Sequence, residues 1–202
     1  METETKKVNT KKVDTKKLAV LGILTAIVIV LQVLAVLLRP TGFFSISLVL
    51  IPIVVGASLY GPSAGAWLGF VFSVVVLIND AAAFLAINAP GTFITVLVKG
   101  TVAGLCAALA YKLIEKVNSY LAVVIAAIVC PVVNTGIFCI GCRLFFWDTV
   151  SEWAKGAGFE SATTFLFVGL IGINFLIEMG INMVLSPVIV RLVNIGKNKR
   201  LH

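Results

Sequence analysis

Asn174, Glu178 and Asn182 stand four residues apart inside the apolar run 163–193. A spacing of four places three polar side chains in one slanting stripe along a helix face. A carboxylate in the middle of a bilayer-spanning helix costs roughly 2.5–3.5 kcal/mol on insertion scales, so it faces protein or a wet cavity. Such a stripe is either a polar site inside a helical bundle or a set of interhelical hydrogen bonds that holds helices together. Other polar residues lie within apolar surroundings: Lys99, Asn134-Thr135, Arg143 and the pair Asn79-Asp80. Lys99 either snorkels to the membrane surface or turns inward to pair with an anion or with Glu178.

These residue types suit binding better than catalysis. A glutamate and a lysine can exchange protons, but no nucleophile or metal accompanies them. The sequence has no Ser–His or Cys–His pair, no HExxH and no phosphate-binding glycine loop. Cys139 and Cys142 form a CxxC, yet the single histidine is the last residue, so the two further ligands that zinc would want are missing. We expect the four cysteines to be packing residues, no metal or cofactor, and no enzymatic activity. Energy for any transport would then come from elsewhere.

The elements that must position these groups are spans. The chain has 202 residues, 60% hydrophobic and 12% charged, about half the charge of a soluble domain. The expected class is all-α, an integral-membrane six-helix bundle. A basic tail (1–17) precedes a membrane domain (18–193), and a second basic tail (194–202) follows. Spans are expected at 18–38, 46–60, 63–78, 93–114, 120–147 and 163–193. The second is short and contains Pro52, which calls for a kink or a late helix start. Gly61, Gly65 and Gly69 offer a close-packing face, as do Ala19, Gly22 and Ala26 on the first span. The latter either packs internally or docks a partner. Asn88-Ala-Pro-Gly91 is expected to stop a helix, Pro131 with Asn134-Thr135 to mark a kink, and 148–161 to be a polar loop.

Twelve of the sixteen Lys and Arg lie in the two tails, at Lys112 and Lys116, or at Arg191 just before the second tail. That is the distribution of cytoplasmic segments rather than of a nucleic-acid face, and it predicts that both termini are inside, with anionic lipid drawn to the lysines. In this orientation most of the polar residues gather towards the outer half of the bundle. A pocket open to the outside and closed below by apolar packing keeps them solvated or paired. A stand-alone proton-coupled carrier using Glu178 is the alternative.

Together these features resemble the substrate-binding S component of an energy-coupling factor (ECF) vitamin transporter. The resemblance rests on six spans and on a basic tail followed by Ala19, Gly22 and Ala26. It also rests on Ile51-Pro52-Ile53-Val54-Val55-Gly56 leading into Tyr60-Gly61-Pro62-Ser63-Ala64-Gly65, on Asn134-Thr135, and on Asn174 with Glu178. It covers residues 18–193. It implies a vitamin-binding subunit in a bacterial or archaeal cytoplasmic membrane. A transmembrane coupling protein and two cytoplasmic ATPases would work with it, the subunit toppling in the bilayer to carry ligand inward. In that family an Ala-x-x-x-Ala pair on the first helix docks the coupling protein, and Gly22-x-x-x-Ala26 occupies its place here.

The Gly-Pro-x-x-Gly, Asn-Thr and Asn…Glu arrangement is most similar to the pantothenate-type members. Those members carry Arg about where Lys99 stands, and lysine offers a point charge without the bidentate fork. The resemblance implies a binding set of Lys99, Asn134, Arg143, Asn174, Glu178 and Asn79. Lys99 or Arg143 would take a carboxylate, and Asn134, Asn174 and Glu178 would meet amide and hydroxyl groups. Riboflavin is the next candidate, with Phe43, Trp67, Phe84 and Phe93 as stacking surfaces.

Overall fold

The computed structural model describes residues 15–37 and 48–198, with the side chains at 173 and 174 outside that description. All regular structure among the described residues is helical. The order is α1 (Thr15–Leu37), α2 (Leu50–Tyr60), α3 (Pro62–Asn79), α4 (Ala82–Ile87), α5 (Ala89–Ile114), α6 (Ser119–Phe145) and α7 (Trp147–Gly156). The short α8 (Ala162–Thr164), a π-helical stretch (Phe165–Gly172) and α9 (Ile173–Asn198) complete it. Among the described residues, five helical segments are long and apolar enough to cross a membrane: Thr15–Leu37, Pro62–Asn79, Ala89–Ile114, Ser119–Phe145 and Ala162–Asn198.

The expected second span is the exception. Helix α2 has 11 residues, a length of roughly 16 Å at 1.5 Å per residue, about half of a bilayer core. Nearly all of it is buried, as a helix that is apolar on every side must be. Pro52 lies in its first turn, where backbone N–H groups have no intrahelical partner to lose. Of the two possibilities for Pro52, the late start is the one realised.

After α2 the chain reverses at Gly61 (φ 81°), a left-handed conformation that favours glycine, and Pro62 opens α3. Gly61 is therefore the turn residue, while Gly65 and Gly69 form the close-packing face. A Cβ on Gly65 would strike the Gly104 carbonyl, one on Gly104 would strike the Gly65 carbonyl, and Gly69 and Gly100 repeat the arrangement one turn away. Helices α3 and α5 thus cross backbone on backbone.

Two boundaries differ from expectation, each for a local reason. Asn88-Ala-Pro-Gly91 stops a helix, with Asn88 the C-cap of α4, and also starts α5: the Asn88 Oδ1 accepts from the Gly91 N–H at 3.0 Å, and Pro90 occupies the first turn. The stretch before it is the separate short helix α4. Residues 147–156, expected as the start of a polar loop, form amphipathic α7. Val150 and Ala154, four apart, face inward while Asp148, Glu152 and Lys155 are exposed. Helix α6 runs unbroken through Pro131.

The main core is built from Leu24 and Val28 of α1, Leu50 and Ile53 of α2, Leu68 of α3, Ala107 of α5, Ala126 and Cys130 of α6, and Ile189 and Val193 of α9. A second core at one end joins Cys142, Phe146, Val150 and Leu166. The opposite end is tied by polar contacts. Lys197 Nζ bonds Glu115 Oε2 at 2.9 Å and lies 5.0 Å from the Tyr111 ring centre, and Lys17 approaches Tyr60 at 6.0 Å. The expectations for Phe43 and for the segments 1–14, 38–47 and 199–202 fall outside the described residues.

Candidate functional site

One face of α6 organises the polar residues. Cys130, Asn134, Phe138 and Cys142 recur every four residues, so they form one stripe. Each meets, or lacks, a polar partner in a telling way. The Phe138 ring carries the Lys99 ammonium of α5 at 5.2 Å, and Phe72 of α3 flanks the same ammonium at 6.0 Å. Both distances are those of a cation held by aromatic faces. Cys142 lies within electrostatic reach of Lys99, and Cys130 within reach of Glu178 on α9. Lys99 thus lies against the Phe138 part of this stripe, and Glu178 acts electrostatically on Cys130, about two turns away along α6.

Asn134 lies between these two contacts. It is buried, and its Oδ1 accepts no hydrogen bond from the described residues. An unmet buried carbonyl of this kind costs on the order of 1–3 kcal/mol, which any donor reaching it would relieve. Asn182, one turn along α9 from Glu178, is only 1% exposed, and neither of its side-chain polar atoms has a hydrogen-bond partner among the described residues.

Lys99 and Asn134 thus lie along one stripe, and Glu178 is within electrostatic reach of its Cys130 end. Arg143 lies elsewhere: it is exposed on the far side of α6, stacked at 4.5 Å on Trp147. Asn79 is also apart, exposed at the end of α3 with its Nδ2 donating to the Val75 carbonyl at 3.0 Å. Each has a local partner where it stands, apart from the Lys99–Asn134 stripe. The backbone of Asn174 is in α9, and its side chain lies outside the described residues.

Residues not in the expected set also shape this strip. Phe138 and Phe72 hold Lys99, and Phe138 is four residues from Asn134, a spacing readable in the sequence. Phe84 of α4 stands edge-on to Phe138 (5.8 Å), Phe146 (5.0 Å) and Trp153 of α7 (5.5 Å). Through these rings the short helices α4 and α7 roof the Lys99 end of the strip. Of the expected stacking residues, Trp67 and Phe93 are exposed on the outside of the bundle. Buried hydroxyls of Ser73 and Thr95 also lack partners, though Ser73 packs on Gly100 and Thr95 on Gly141, in helix–helix contacts.

Ala19, Gly22 and Ala26 of α1 are all exposed, and a Cβ on Gly22 would meet nothing within 4 Å. This small-residue face is left open by the described residues. On the neighbouring helix, Trp67 Nε1 donates to Thr25 Oγ1 at 3.2 Å. All four cysteines are free, and no cluster able to hold a metal occurs among the described residues.

The family described as "ECF transporter, substrate-specific component" matches residues 16–190. No curated protein and no solved structure matches the chain. The family match runs from the first helix almost to the end of the last and includes the whole α6 strip with its partners on α3, α5 and α9. The protein is multi-pass and all-helical, and it belongs to the family of substrate-specific components of ECF transporters, the membrane-embedded substrate-binding subunits of these importers.

Proposed function

We propose that this subunit binds a small vitamin, pantothenate first and riboflavin next, from outside the cell and delivers it inward. A transmembrane coupling protein and two cytoplasmic ATPases complete the transporter. The observation that carries the reading is the buried Asn134 oxygen without a donor among the described residues, on the stripe that Lys99 lies against and whose Cys130 end Glu178 reaches electrostatically. Pantothenate supplies matching groups: a carboxylate for the Lys99 ammonium, a hydroxyl or amide N–H for Asn134, and a hydroxyl for Glu178, each a charge-assisted or buried bond. Asn174, on the same face of α9, completes the set.

The basic end of the bundle, with Lys16, Lys17, Lys112, Lys116 and Lys197, faces the cytoplasm, and α4 and α7 face outward. Asp80, Asp148, Glu152 and Glu160 accompany the outward end. The exposed face Ala19, Gly22 and Ala26 is the docking surface for the coupling protein, supported by its being left open by the described residues. The membrane is the bacterial cytoplasmic membrane. A thermal-shift screen of B vitamins on the purified protein tests the reading: pantothenate or riboflavin raises the melting temperature, and a flat response to every vitamin refutes it.

A further inference from the structure

Lys99 is a long, flexible cation on a membrane-spanning helix, and such a side chain ordinarily extends to the interface and keeps its ammonium in water. Its place on α5 works against that. Val96, three residues before it, and Ala103, four residues after it, are both buried, so the Lys99 side chain leaves the helix on its inward face. A Cβ on the next residue, Gly100, would meet Ser73, the Gly69 carbonyl and Phe72, all on α3. The α3–α5 crossing therefore fixes the root of the lysine and sets Phe72 beside it.

The far end of the side chain is held by rings. The ammonium lies 6.0 Å from the centre of Phe72 and 5.2 Å from the centre of Phe138, within the range at which a ring face attracts a cation. Phe138 is itself braced. Phe84 stands edge-on to it at 5.8 Å and is in turn packed on Phe146 and Trp153, so the ring is not free to swing aside with the lysine. Confinement has a chemical consequence. A wandering ammonium loses rotamer freedom when it meets an anion, whereas one already confined loses less. The ring faces also take up none of its N–H donors.

We propose that Phe138 and Phe72 are positioning residues: they hold the Lys99 ammonium inward and so give the site its preference for an anionic ligand over a neutral one of the same shape. The identity of that ligand rests on the binding reading above, whereas the confinement of Lys99 does not.

The test has two parts, both on the purified full chain in detergent. The first is nuclear magnetic resonance without ligand, on protein carrying isotope-labelled lysine. The ε-methylene signal of Lys99, identified by its loss in Lys99→Met, should lie upfield of that of the exposed Lys155, because ring currents shield groups above a ring face. Phe138→Leu should move it towards Lys155, and Phe138→Tyr should leave it in place. A wild-type Lys99 signal that coincides with Lys155 overturns the proposal whatever the variants do.

The second part compares calorimetric affinities for pantothenate and for pantothenol, its neutral analogue with an alcohol in place of the carboxylate. The wild type should favour pantothenate by about tenfold or more, as a charge-assisted bond implies. Phe138→Leu should reduce that preference by about threefold or more while pantothenol affinity stays nearly constant, and Phe138→Tyr should retain it. Equal weakening of both ligands would make Phe138 a packing residue and overturn the proposal, as would a wild type that binds both alike. If Phe138→Leu does not fold, Phe72→Leu is read in the same way, and the wild-type Lys99 signal decides if neither folds. If the wild type binds neither compound, the binding reading fails on its own, and the ligand-free spectra still decide whether the rings confine Lys99.

Discussion

At the scale of single residues, function and stability pull in opposite directions on the α6 strip. The Asn134 oxygen is buried without a donor among the described residues, which burdens the empty protein and, in the proposed reading, serves a bound ligand. Asn134→Leu removes the unmet group while keeping the volume. We expect the ligand-free variant to melt no lower than the wild type, with up to about 1–3 kcal/mol recovered, and vitamin affinity to fall. A variant that is destabilised without ligand would show that Asn134 already has its partner inside the fold. Glu178→Gln removes the charge from its bond to the ligand at constant shape. The loss should be about 1.5–3 kcal/mol, or roughly 10- to 150-fold in Kd, measured by calorimetry. The sequence revealed these residues because a carboxylate and amides stand out in apolar runs. It did not reveal that Arg143 and Asn79 have local partners where they stand, since a stacked Trp147 and a helix carbonyl four residues back are matters of side-chain direction.

At the scale of elements, the α3–α5 crossing fixes where Phe72 and Lys99 meet. Backbone rests on backbone at Gly65 with Gly104 and at Gly69 with Gly100, so neither helix can accept a side chain there. Gly104→Val should lower the melting temperature sharply or prevent folding, because its Cβ meets a carbonyl that cannot move aside. Gly136→Ala, where a Cβ meets nothing within 4 Å, should be neutral or stabilising by up to about 1 kcal/mol. Comparable melting of the two variants would contradict the crossing. Periodicity and length located the long helices, and glycine spacing pointed to Gly65 and Gly69. What stayed hidden was amphipathic α7, whose charges read as a loop although Val150 and Ala154 share one face, and the N-cap role of Asn88 in a segment that looked like a breaker. The partners of the α3 glycines, Gly100 and Gly104, were also hidden, because nothing in one helix names its neighbour.

At the scale of the whole molecule, two surfaces serve two partners. In the proposed reading the α6 strip meets the small molecule, and the exposed face of Ala19, Gly22 and Ala26 meets the coupling protein. Because a Cβ on Gly22 would meet nothing within 4 Å among the described residues, Gly22→Trp and Ala26→Trp should leave folding and vitamin affinity intact while abolishing co-purification with the coupling protein and ATPases. Normal assembly of both variants would move the docking surface elsewhere. The central claim is that the isolated chain is a complete receptor for one vitamin. Isothermal titration of the purified protein, alone in detergent, with pantothenate and then riboflavin tests it most directly. The account predicts saturable one-to-one binding of one of them, weakened in Asn134→Leu, and a stabilisation of about 4.1 kcal/mol at a thousandfold excess over Kd. The absence of saturable binding of either vitamin by the folded wild type would contradict it.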